Sequence, residues 1–130
     1  MAEENAKKIL IIDDDRFLLD MYSVKFTEKG YAVQACEGPE AALSEIEGGY
    51  APDICLTDIV MPNMDGFTFL EEVNKRGLLK GSAKIILSNL GQKEDIERGR
   101  SLNVDGYIIK ASATPSEVVA RVGEILKNRK

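Results

Sequence analysis

Five side chains capable of chemistry stand directly after short apolar runs: Asp13 and Asp14 after KKILII, Asp58 after DICLT, Ser88 after AKIIL and Lys110 after GYII. A carboxylate at the tip of a buried strand is an odd choice for packing, whereas in an open α/β sheet the strand tips are where ligands bind. Strands lying side by side would bring three carboxylates, a hydroxyl and an ammonium into one small pocket. Two like charges about 5 Å apart repel by roughly 3 kcal/mol at an effective dielectric near 20. Such a pocket needs raised carboxyl pKa values or a cation, and Mg²⁺ suits carboxylates, waters and phosphate oxygens together. The same set suits phosphoryl transfer: Asp58 as carboxylate nucleophile, the metal spreading the developing charge, Lys110 and Ser88 gripping phosphoryl oxygens. Taken singly, Asp58 reads as a loop cap, Ser88 as a turn residue and Lys110 as a solvated charge. Their joint placement carries the argument.

The elements that must position these residues alternate along the chain. Residues 7 to 13 form a continuous apolar run, which suits a strand buried on both faces of a parallel sheet. The acidic triplet Asp13-Asp14-Asp15 then opens a helix from about Arg16 to Lys29, with Leu18, Met21, Tyr22 and Phe26 at helical spacing. Strands follow at Tyr31 to Glu37, Asp53 to Thr57, Ala83 to Leu87 and Gly106 to Ile109. Helices are predicted at Pro39 to Glu47, Gly66 to Lys75, Gln92 to Leu102 and Pro115 to about Lys127. Gly99 inside the fourth helix costs about 1 kcal/mol relative to Ala, and Asn103 suits the left-handed position at its end. Thr114-Pro115-Ser116-Glu117 combines an N-cap, a first-turn proline and a capping-box glutamate. Five strands alternating with five helices predict a parallel sheet covered on both faces.

Composition sets the bounds. The 130 residues suit one domain, and 44% hydrophobic with 30% charged residues is ordinary for a globular protein. A net charge of −5 argues against a broad nucleic-acid surface, and with no histidine, His-based acid–base chemistry and His-ligated metals are excluded. Cys36 and Cys55, both in strand-like runs, read as buried free thiols. No apolar run approaches membrane-spanning length, and MAEENAKK reads as a polar lead-in rather than a signal peptide. The expectation is a cytoplasmic domain that binds neither membrane nor nucleic acid.

The set ILIIDDD, DIVMPNMDG, IILS and GYIIK, in this order and spacing, resembles the receiver domain of two-component response regulators, from about Lys8 to Leu126. The resemblance implies a CheY-like, flavodoxin-like (βα)5 fold with strand order 2-1-3-4-5. It implies Asp58 as phosphoacceptor, charged by a sensor histidine kinase or a phosphotransfer protein in a reaction the receiver itself catalyses. Asp13, Asp14, Asp58 and the Val60 backbone carbonyl would hold Mg²⁺, with Asp14 binding directly and Asp13 through water. Ser88 matches the switch hydroxyl, Lys110 the phosphate-binding lysine and Tyr107 the aromatic coupled to the switch. The surface of the fourth helix, fifth strand and fifth helix, bordered by Ile96, Leu102 and Tyr107, would remodel for a downstream protein, as a monomer or a weak phosphorylation-dependent dimer. Ile96 and Leu102 also read as core.

Residues 1–130 are accordingly expected to form a single receiver with no output domain and no enzymatic activity beyond its own phosphorylation and dephosphorylation. Two positions depart from the family. Ala111 follows Lys110 where receivers usually carry proline, often across a cis bond; a cis non-proline bond costs about 3 kcal/mol, so either the backbone is remodelled or that strain persists. Asn89 follows Ser88 in place of a small residue, where it would narrow access for small donors or hydrogen-bond the phosphoryl group. Val60 and Leu90, apolar at the rim, offer nothing to orient an attacking water, which implies slow self-dephosphorylation. Two rival readings are a degenerate receiver that binds proteins independently of phosphorylation, and a haloacid-dehalogenase-type phosphohydrolase using Asp13-x-Asp15, with Asp105 as its late acidic candidate. Residues 127 to 130 read as a tail or as the stub of a linker.

Overall fold

The computed structural model describes residues 6–129. Most of the polar lead-in and the final residue of the tail therefore lie outside the described residues. The chain alternates β1 (Lys8–Ile12), α1 (Arg16–Glu28), β2 (Ala32–Cys36), α2 (Pro39–Glu47), β3 (Ile54–Thr57), α3 (Gly66–Lys75), β4 (Ala83–Ser88), α4 (Lys93–Ser101), β5 (Gly106–Ile109) and α5 (Pro115–Asn128). All strand pairs are parallel and the sheet runs β2-β1-β3-β4-β5, so the expected order 2-1-3-4-5 holds.

Strand alternation divides the core in two. Ile9, Ile11, Ile54, Leu56, Ile85, Leu87 and Ile108 pack with Leu19, Tyr22 and Phe26 of α1 and Val118, Val119 and Val122 of α5. Leu10, Ile12, Cys55 and Ile86 face the other way, onto Ala42 and Ile46 of α2 and Phe67, Phe69, Leu70 and Val73 of α3. Both faces of the central strands are therefore apolar, which is why β1, β3 and β4 read as unbroken hydrophobic runs. Cys36 and Cys55 are buried free thiols, as expected.

The helices follow their local signals. Asp15 caps α1 by accepting from Leu18 N at 3.1 Å. Both halves of the Thr114–Glu117 capping box form. In α1 the face is rotated from the expectation: Leu19 is buried with Tyr22 and Phe26, while Leu18 and Met21 are half-buried. A stretch reading FLLDMY offers several apolar stripes, and the angle at which the helix meets the sheet selects one.

α4 is the exception among the helices. Six of its nine residues are charged and Gly99 is its only buried position. It is tied to α3 by Arg98–Glu71 at 3.1 Å, by the Arg98 guanidinium 4.6 Å above the Phe67 ring, and by Asn74 Nδ2 donating to Leu102 O at 2.9 Å. Leu102 packs half-buried against the α2–α3 core, whereas Ile96 lines a shallow groove with Arg100, Val104 and Tyr107. Asn103 takes φ 63°, the left-handed cap expected of it.

Gly66 positions the loop after β3. A Cβ there would lie 2.1 Å from the carbonyl oxygen of Asp58 and 2.9 Å from Ile59 Cα, both backbone atoms with no rotamer to change. Gly66→Ala must displace the loop bearing Asp58 and is expected to destabilise the fold by about 3 kcal/mol. Urea unfolding checks this, and an unchanged midpoint contradicts the packing account.

Candidate functional site

Register builds the site. Ile12 pairs with Thr57 and Ser88 pairs with Ile109, so the chain delivers Asp13 beside Asp58 and Lys110 one step beyond Ser88. Asp58 N donates to Ile12 O at 3.0 Å, extending the β1–β3 ladder to the acid itself. Asp13, Asp58 and Lys110 share the parity of Ile11, Leu56 and Ile108, which face α1 and α5.

The Lys110 ammonium lies 2.7 Å from Asp13 Oδ2 and 2.7 Å from Asp58 Oδ2, with all three side chains at least nine-tenths buried. The remaining carboxylate oxygens accept from backbone: Asp58 Oδ1 from Ile59 N at 2.6 Å, and Asp13 Oδ1 from Asp15 N at 2.9 Å. Asp14 is exposed, yet Asp13, Asp14 and Asp58 each offer a ligand atom within 4.8 Å of one another. Three carboxylates against one ammonium leave two negative charges uncompensated. An oxygen-only donor set with that charge fits a hard divalent cation such as Mg²⁺. Val60, two residues beyond Asp58, is 61% exposed at the rim.

Charges inside the pair respond unequally. Burial alone would lower the Lys110 pKa, but the bonds to Asp13 and Asp58 outweigh it and the net shift is upward. Burial pushes the Asp13 carboxyl up, more than Lys110 and the Asp15 N–H bring it down. Two carboxylates share the one ammonium, so Lys110 gains more from the cluster than Asp13 does.

Ser88 lies at the buried end of β4, where its Oγ accepts from Leu90 N at 3.2 Å; among the described residues it makes no hydrogen bond to Asp58. Tyr107 is half-buried, and its hydroxyl donates to Leu90 O. Leu90, which the sequence marked only as an apolar rim position, thus has its N–H on Ser88 and its carbonyl on Tyr107. Gly99 is explained by the same contact: a Cβ there would lie 3.2 Å from Tyr107 Cδ2 and 3.0 Å from Ile86 Cδ1.

The backbone after Lys110 is remodelled rather than strained. Among the described residues no peptide bond is cis, and Lys110–Ser112 form a short 3-10 turn. Asn89 Oδ1 accepts from Ala111 N at 2.8 Å, so that oxygen is engaged by protein rather than left facing a ligand.

The phosphohydrolase pattern does not assemble. Asp15 is committed to the α1 cap, and Asp105 lies at the start of β5, bonded to Lys84 N at 2.9 Å and to Arg129 at 3.3 Å. Two surface cavities of about 620 Å³ each open away from the acids, one lined by Lys7, Tyr31, Asp53 and Lys127 and the other by Asp105 and Arg129. Convergent charge at the strand tips locates the site better than volume does.

A doubly wound parallel sheet with a buried Asp–Lys–Asp cluster at its carboxyl edge defines a class, and comparison with known proteins gives the family. Residues 9–123 match the response regulator receiver domain. The chain belongs to that family, the receiver domain of two-component response regulators. It is 31% identical over 117 residues to regulatory protein VanRc of Enterococcus gallinarum, covering 90% of this chain and 48% of the relative. It is 30% identical over 128 residues to transcriptional regulatory protein ResD of Bacillus subtilis (strain 168), covering 98% and 51%. The chain thus spans about half the length of these curated relatives. A CheY-like receiver domain protein from Methanospirillum hungatei JF-1 superposes with TM-score 0.84 at 29% identity, covering 94% of each chain. The receiver domain of Francisella response regulator 1452 does so with TM-score 0.83 at 28% identity, covering 95% and 99%. Among the described residues no helix is long and apolar enough to cross a membrane.

Burial raises the pKa of all four tyrosines, Tyr50 and Tyr107 to about 12. The native state then keeps phenolic protons that the unfolded chain loses near its ordinary pKa of about 10. Stability present below pH 10 therefore declines as pH rises from about 10 towards 12. Ultraviolet tyrosinate absorbance followed with circular dichroism should show Tyr50 and Tyr107 still protonated at the ordinary midpoint while the fold persists. A full tyrosine titration near pH 10 on the folded protein contradicts these environments.

Proposed function

We propose that this receiver is a phosphoacceptor working in the cytoplasm, with Asp58 taking the phosphoryl group from a phosphohistidine on a sensor histidine kinase or a phosphotransfer protein. The observation that carries the reading is the Lys110 ammonium, 2.7 Å from both Asp13 and Asp58 at the carboxyl edge of the sheet. A lysine held there serves the resting domain by compensating two buried acids, and would serve the charged domain by holding a phosphoryl oxygen. Asp13, Asp14, Asp58 and the Val60 carbonyl are the proposed Mg²⁺ ligands. When bound, the ion would supply compensation for the charge shared by carboxylates and phosphoryl oxygens.

In the transfer an Asp58 carboxylate oxygen forms the new bond to phosphorus while the phosphorus–nitrogen bond of the donor breaks. The electron pair of that bond leaves on the imidazole nitrogen, which takes a proton from solvent water. Lys110 holds Asp58 Oδ2 in place, itself anchored by Asp13. Ser88 would turn from Leu90 N to a phosphoryl oxygen, and Tyr107, released from Leu90 O, would move inward. The face formed by α4, β5 and α5 would then change for a downstream protein. Activity in this reading is confined to the domain's own phosphorylation and dephosphorylation.

Intact-protein mass after incubation with acetyl phosphate and Mg²⁺ tests the acceptor. Wild type is expected to gain one phosphoryl group and Asp58→Ala none; an equal gain in both sinks the assignment. Chelating Mg²⁺ should abolish the gain. Val60, exposed at the rim and without a polar group to orient water, predicts a phosphorylated half-life of minutes or longer. Mass measured at intervals after donor removal checks this, and a half-life of seconds contradicts it.

A further inference from the structure

The turn that carries Lys110 lacks a cap of its own. Backbone N–H groups at the start of a helical turn have no internal partner and need an acceptor from elsewhere. Ile109, which precedes the 3-10 turn, supplies no side-chain cap. The acceptor comes instead from Asn89, 22 residues earlier on a different loop, through Oδ1 to Ala111 N at 2.8 Å. This bond exists only because residue 111 has an N–H to give.

Its place between the two loops matters. Asn89 lies between Ser88, whose Oγ accepts from Leu90 N at 3.2 Å, and Leu90, whose carbonyl accepts from Tyr107. Ser88 and Asn89 each use a side-chain oxygen and Leu90 both of its backbone groups, and of these three bonds the one from Asn89 reaches the turn bearing Lys110. Moving Ser88 towards a group on Asp58 drags on Asn89 while Lys110 stays anchored by Asp13 at 2.7 Å.

We propose that Asn89 and the Ala111 N–H form a resting-state latch, which ties the loop bearing Ser88 to the turn bearing Lys110 and restrains the pocket from closing on a phosphoryl group. This rests on the phosphoacceptor reading above. Asn89 is a positioning residue in this account: it acts through Ser88 and Lys110. A single exposed hydrogen bond contributes modestly, so the latch tunes the switch and does not block it.

The test separates the bond from the bulk of the side chain. Asn89→Leu keeps the size and removes the acceptor, while Ala111→Pro removes the donor and leaves residue 89 unchanged. Hydrogen exchange by NMR should find the Ala111 amide protected in wild type and unprotected in Asn89→Leu. Each single variant should take phosphate from acetyl phosphate with Mg²⁺ roughly two- to tenfold faster than wild type. Beryllofluoride should saturate each at correspondingly lower concentration. Because both variants break the same bond, the double variant should gain no more than either single one. Additive gains, unchanged rates or slower rates overturn the latch. Normal phosphorylation with an unprotected Ala111 amide overturns the latch alone. A wild type that takes up no phosphoryl group while that amide is protected overturns the phosphoacceptor reading, and the latch's regulatory role with it.

Discussion

One ammonium between two carboxylates is the contact on which this molecule depends. Without Lys110, Asp13 and Asp58 would face each other as buried like charges, and the carboxyl edge of the sheet would have to open or take up protons. The rest of the domain can be seen as the means of holding that contact. Parallel register sets Asp13 beside Asp58, apolar packing on both faces fixes the register, and β5 delivers the lysine. The cluster is unbalanced, with negative charge left over that suits a hard divalent cation. A site for a small, hard cation needs no large cavity.

Most of this was legible in the sequence, for identifiable reasons. The strands announced themselves because β1, β3 and β4 are buried on both faces and their composition admits little else. The acids, Ser88 and Lys110 were legible because each ends such a run, and a parallel sheet sends all those ends to one edge. The α5 start was legible because capping is a local affair within four residues.

What stayed hidden was tertiary. The choice of Leu19 over Leu18 and Met21 depends on how α1 lies on the sheet, which periodicity does not contain. Gly99 looked like a cost to its helix, since its benefit, the close approach of Tyr107, belongs to a strand. Leu90 acts through its backbone, so its side chain carried no signal. Ala111 and Asn89 each looked like an isolated departure from the family, and only their meeting across two loops gives either a reason.

The sparse anchoring of α4 has a consequence for how such a domain diversifies. Gly99 is its one buried residue, and the helix is tied to α3 by the Arg98–Glu71 pair, the Arg98 guanidinium over Phe67 and the Asn74–Leu102 bond. Substitutions along its outward side therefore leave both apolar clusters untouched and carry almost no folding cost. That face can drift residue by residue while the acid–lysine cluster stays as it is. A scaffold arranged in this way separates a buried charged cluster, which tolerates little change, from an outer helix face, which tolerates a great deal.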